Sequence, residues 1–219
     1  VALWGLYRYM PEPIGATRHD VKLNTPASMS LGTIFSNYKN LLLNPSFTLS
    51  AIAIGIGGIT CVAWIALAPV IMISKGHLSV IEYGLWQIPV FGATILGNIA
   101  LHYLTHNNEL KTIIRLGVGL CLAGVFLTAL LPFIFGQDFM FLMPGIFVYF
   151  FSLSIVSAPF NRYALFITPV AKGTASAILS LLGMLVNAFG IEIAGMFYHY
   201  GDNLAFGVFN LITGLALVV

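Results

Sequence analysis

Residues 47–73 read FTLSAIAIGIGGITCVAWIALAPVIMI, twenty-seven positions without one charged side chain. A bilayer core is spanned by about 20 apolar residues in an α-helix, so this stretch is long enough to cross a membrane. The rest of the chain agrees. Of 219 residues, 59% are hydrophobic, 13% aromatic and only 7% charged, and the mean hydropathy is +0.96. Soluble domains carry about 25% charged residues. So few charges exclude a disordered tail, a nucleic-acid-binding protein and an ordinary cytosolic enzyme. The fold class expected is all-α: a polytopic membrane helical bundle whose main solvent is lipid.

Four more uncharged or nearly uncharged runs follow. They cover Tyr83 to about Tyr103, Leu116 to Phe135, Phe139 to about Phe160, and Ala175 to Tyr198; a last apolar run extends from Leu204 to Val219. Connections between them are short: Ser74 to Glu82, Leu104 to Arg115, Gly136 to Asp138, Asn161 to Thr174, and His199 to Asn203. Short connections make sequential helices antiparallel neighbours. Position 1 is Val, and Val1 to Tyr9 reads as the tail of a helix already under way; the reading is a piece of a longer membrane protein. Residues 10–46 are then expected to be a loop between two halves. A short amphipathic helix at the membrane surface is expected in its later part, from Ser30 into Leu43. Residues 47–219 form the membrane bundle.

Lys and Arg set the orientation. Alternate connections lie on opposite sides, so Arg8, Arg18, Lys22, Lys39, Lys111, Arg115, Arg162 and Lys172 share one side and Lys75 stands alone on the other. Eight against one predicts that the loop over 10–46 is cytoplasmic. Net charge is +2, too small to imply a nucleic-acid partner. No Cys/His cluster has zinc-ligand spacing, so no metal or cofactor is expected. Cys61 and Cys121 sit in apolar runs and read as small packing residues rather than a disulfide. No nucleophile motif and no pair of intramembrane acids with catalytic spacing is present, so no enzyme is expected.

Polar side chains within the spans mark candidate functional positions, because lipid disfavours them. Tyr83, Gln87, Phe91, Thr94 and Asn98 recur at steps of 4, 4, 3 and 4, which is one helical face. Rings alternating with amides suit a large, mostly apolar ligand with a few polar contacts. The same face would arise if Gln87 and Asn98 only bridge neighbouring helices. Gly55, Gly57 and Gly58 read as close helix packing, with helix bending as the other reading. Glu192 lies near a face formed by Ser180, Met184, Asn187 and Ile191. It is a possible proton-coupling group, but its place favours a carboxylate reaching the outer interface. Arg162, after Pro159-Phe160-Asn161, is either an interface residue or a gate.

Several of these residues together carry a resemblance. The run Glu82-Tyr83-Gly84-Leu85-Trp86-Gln87-Ile88-Pro89-Val90-Phe91-Gly92-Ala93, followed by Gly97-Asn98, resembles the eighth helix of multidrug/proton antiporters of the major facilitator superfamily. Ala63-Trp64-Ile65 with Pro69 is similar to their seventh helix. Lys172-Gly173-Thr174, Ser176-Ala177 and Gly190-Ile191-Glu192-Ile193 are similar to their eleventh. The resemblance implies the C-terminal six-helix half of a transporter, with residues 1–9 as the end of helix six. It implies a protein of the bacterial inner membrane that exports lipophilic small molecules in exchange for protons, partnered by lipid and by the missing N-terminal half. The family's cavity faces correspond here to Cys61, Val62, Ile65, Tyr83, Gln87, Phe91 and Asn98, and a gating arginine to Arg162. Export of a sugar, siderophore or amino acid stays open on the same scaffold, as does a half that only assembles.

Overall fold

The computed structural model describes residues 31–217 apart from 171 and 201. The expectations for residues 1–30, including the end of helix six and the cations Arg8, Arg18 and Lys22, lie outside the described residues. The chain divides into two compact units, Val1–Asn37 and Tyr38–Val219. The described residues form helices and turns, with no strand among them. The helices are α1 (Leu31–Leu42), α2 (Pro45–Pro69), α3 (Val80–Asn107), α4 (Leu110–Phe135), α5 (Met143–Ile167), α6 (Lys172–Tyr200) and α7 (Asn203–Ala216). Five helical segments are long and apolar enough to cross a membrane, and α7 is a shorter apolar helix. The all-α membrane bundle expected from the sequence is the fold observed.

Local chemistry explains the helix starts. Asn44 caps α2 by accepting from the Phe47 N–H at 3.3 Å, and Pro45 occupies the first turn, where its missing N–H costs nothing. Ser79 and Glu82 form a capping box on α3. The Glu82 carboxylate accepts from the Ser79 N–H and Oγ at 2.8 Å each, and the Ser79 Oγ accepts from the Glu82 N–H at 3.3 Å. Asp202 Oδ1 accepts from the Leu204 and Ala205 N–H groups at the start of α7.

The helices outrun the apolar stretches that announced them. The first span runs on past Ile73. It continues as a π-helical turn, Val70–Lys75, and the chain then reverses through His77, whose φ of 56° is left-handed. The connection expected over Leu104 to Arg115 shrinks to Asn108 and Glu109. Lys111 and Arg115 stand on helical turns because long cationic side chains cover apolar surface with their stems while the head reaches water. Helix α5 continues through Pro159 to Ile167.

In the bundle, α5 contacts α2, α3 and α4, whereas α2 packs on α5, α6 and α7. Helix α3 rests mainly on α5 and leaves much of its surface uncovered. The core gathers Trp64, Tyr149, Phe150 and Phe206. Tyr149 donates its hydroxyl to the Gly57 carbonyl at 2.5 Å, and Trp64 meets Phe206 with ring centroids 6.3 Å apart. Thr128 and Ser152 return their hydroxyls to carbonyls of their own helices, at Gly124 and Tyr149, which satisfies them without water.

Each end of the bundle has its own character. At one end, Lys75, Gly76, Gln137, Asp138, Asp202 and Asn203 line a cavity of about 380 Å³. Asn203 Nδ2 donates to the Gln137 carbonyl at 2.6 Å and the Leu204 N–H to Gln137 Oε1 at 3.1 Å, stitching two connections together. At the other end Lys111 and Arg115 of α4 meet Phe160 and Tyr163 of α5. Lys172 closes the α5–α6 connection there, donating to the Leu165 and Thr168 carbonyls at 2.7 and 2.9 Å. The alternation inferred from short connections is thus the arrangement of the described helices.

Candidate functional site

The polar stripe of α3 lies at the border between buried and open surface. The buried residues of this helix are Gln87, Val90, Ala93 and Gly97. Gly97 sets how closely the helix sits, because a Cβ there would meet the Phe151 carbonyl oxygen and, at 2.8 Å, Ser154 Cβ of α5. The stripe is rotated away from this seat. Its members therefore have different surroundings.

Gln87 belongs to the buried side. Its Oε1 accepts from the Trp64 indole N–H at 3.2 Å, and its Nε2 donates to Met72 Sδ at 3.5 Å. Trp64 and Met72 are themselves fully buried. Gln87 therefore joins α3 to α2 and to its π-helical turn, as the bridging reading of the stripe has it. Tyr83 is half-buried against the same core. Phe91 and Asn98 lie on the open side. Phe91 is 49% exposed and rests edge-on against Phe150, centroids 6.4 Å apart. Asn98 is exposed, and its Nδ2 donates to the Thr94 carbonyl one turn back at 2.8 Å. On α2, Cys61 and Val62 are half-buried and Ile65 is exposed. Cys61 and Cys121 are both free thiols.

The remaining candidates stand apart from this edge. Arg162 is exposed on α5 near the lysine- and arginine-rich end, with its guanidinium 5.8 Å from the Phe166 ring. Glu192 is exposed on α6, flanked by the exposed apolar residues Phe189, Ile193 and Met196. It lies eight residues before Tyr200, or about 12 Å of helix from the end of α6.

Two features were not singled out from the sequence. One is the Trp64–Gln87–Met72 chain. Its sequence signal was the presence of Trp64 and Gln87 in adjacent spans, but no periodicity pairs residues across helices. The other is the seat of α6 on α2. A Cβ on Gly55 would meet Val186 Cβ at 2.7 Å, and one on Gly58 would meet Asn187 Oδ1 at 2.8 Å. The packing reading of the glycine run is the one this geometry supports, since small residues let backbones approach in membranes. Asn187 Oδ1 is buried there without a hydrogen-bond partner.

Proteins of known name resemble the chain along nearly all its length. A multidrug transporter MdfA of Yersinia pestis (strain Angola) is 34% identical over 215 residues, covering 98% of this chain and 51% of that protein. A multidrug transporter MdfA of Escherichia coli O157:H7 is 35% identical over 215 residues, covering 98% and 50%. The chain is similar, over nearly its whole length, to the C-terminal half of an MdfA-like transporter. MdfA of Edwardsiella ictaluri (strain 93-146) is 34% identical over the same length. The chain spans about half the length of these curated relatives. No protein-family model matches it. In this MdfA-like half, no group of three or more His, Cys, Asp or Glu residues is placed to hold a metal among the described residues.

Proposed function

We propose that this half forms one wall of a proton-coupled exporter of lipophilic small molecules, working by alternating access against the other half of the same polypeptide. The observation that carries the reading is the split of the α3 stripe. Gln87 is consumed in holding α3 to α2, while Phe91 and Asn98 stand on the open edge of the same helix. An amide facing hydrocarbon is unfavourable, so this edge faces protein or a water-filled pathway rather than lipid. Phe91, Asn98 and Ile65 supply ring, amide and aliphatic contact to the transported compound. Tyr83, Cys61 and Val62 shape the wall behind them, and Gln87 positions it. MdfA relatives named as multidrug transporters support drugs as the cargo.

The mechanism follows from linkage. A proton moves the inward–outward equilibrium only by binding the two states with different affinity. The proposed coupling acid lies in the other half, with Glu192 as a further titratable group on the open face of α6. Arg162 acts as a gate at the cation-rich end, which by its excess of Lys and Arg is proposed to face the cytoplasm. The test uses the full-length transporter in sealed vesicles with an imposed pH gradient. Drug movement that requires the gradient and is lost on collapsing it is the expected result. Movement indifferent to the gradient overturns the coupling, and no movement of any lipophilic compound overturns export.

A further inference from the structure

The cation-rich end of the bundle contains a cavity that the transport reading does not use. It measures about 360 Å³ and lies between α4, α5 and α7. Lys111, Arg115 and Tyr163, all exposed, form its polar part, and Ile114, Val118 and Phe160, all half-buried, form its apolar part. Among the described residues no carboxylate lines it. The apolar side continues into a smaller crevice that shares Val118 and Phe160 and reaches Gly57 of α2. Two cations one helical turn apart thus stand over an apolar slot at the level where helices leave the hydrocarbon.

We propose that this cavity binds an anionic phospholipid, with the headgroup phosphate between Lys111 and Arg115 and an acyl chain along Ile114, Val118 and Phe160. Charge decides the occupant. A guanidinium and an ammonium match a phosphodiester by charge-assisted hydrogen bonds. Basic pockets between membrane helices take acidic lipid headgroups. A free anion would leave the apolar part unfilled, and a neutral apolar compound would leave both cations without a counter-charge. Tyr163 belongs at such a level, because tyrosine favours the membrane–water interface. The site is separate from the Phe91–Asn98 edge, so its loss would not remove the drug pathway.

The test is native mass spectrometry of the full-length transporter in mild detergent, titrated with phosphatidylglycerol or with phosphatidylcholine of the same chain length. The expected result is a phosphatidylglycerol that binds about tenfold more tightly than phosphatidylcholine, and a preference abolished in Lys111→Gln/Arg115→Gln. Lys111→Arg/Arg115→Lys keeps the charges and the preference, and Lys75→Gln, at the opposite end, leaves it intact. Excess glycerol phosphate, which has the headgroup charge without the chains, does not displace the lipid. Equal binding of the two lipids by the unaltered transporter overturns the proposal whatever the variants do. So does a preference that survives Lys111→Gln/Arg115→Gln, or full displacement by glycerol phosphate.

Discussion

The indole N–H of Trp64 in α2 donates to Oε1 of Gln87 in α3 across 3.2 Å, with the amide nitrogen of Gln87 turned to Met72 Sδ. Both spans are otherwise almost devoid of hydrogen bonds to each other, so this contact fixes how the α3 edge is presented. Gln87→Leu leaves the Trp64 N–H buried without a partner. Interhelical hydrogen bonds in membranes average about 0.6 kcal/mol, with measured maxima near 1.7, so a destabilisation of about 1 kcal/mol is expected. Trp64→Phe in the same chain removes the orphaned donor, so the combined loss is smaller than the sum of the two. A thermal-unfolding cycle on the full-length protein checks this. Additive losses would show that the two side chains do not communicate.

Asn98→Leu and Phe91→Ala act on the open edge instead. Both are expected to insert and fold as the unaltered protein does, while the ranking of exported compounds changes. Drug-resistance profiles beside membrane protein levels measure this. Uniform loss for every compound, tracking protein level, would make both residues structural.

Gly97→Val is expected to fail differently. Its side chain would be built against the Phe151 carbonyl and Ser154, and overpacking of this kind costs about 1–3 kcal/mol. The expected readout is a lower melting temperature, with transport reduced in proportion for all compounds.

The two thiols should differ in reactivity. Cys61 is half-buried on α2, whereas Cys121 is fully buried with its Sγ 3.2 Å from the Ser152 Oγ. A membrane-permeant maleimide is expected to label Cys61 in folded protein and to leave Cys121 unmodified until denaturant is added. Mass spectrometry of peptides from labelled membranes separates the two.

The sequence made the helices legible and their boundaries less so. An uninterrupted run such as Phe47–Ile73 has one solution in lipid, because only a helix satisfies its own backbone there. Lys111, Arg115 and His106 look like loop residues by hydropathy, yet helical hydrogen bonding carries them at the ends of α4 and α3. The stripe on α3 was legible as a face but not as two kinds of surface. What seats α3 on α5 is the absence of a side chain at Gly97, and a period of 3.6 residues does not say which edge of a face meets a neighbour. The same limit hid the partners of Gln87. Lys and Arg alternation was readable because it depends only on counting spans.

The central claim is that the open edge of α3 contacts the transported compound. Equilibrium binding of a radiolabelled lipophilic cation, tetraphenylphosphonium, to the purified full-length transporter tests it most directly, comparing the unaltered protein with Asn98→Leu/Phe91→Ala. The account predicts that the double variant, with its melting temperature unchanged, binds at least about tenfold more weakly, a loss of about 1.4 kcal/mol. The same affinity in both proteins would contradict it.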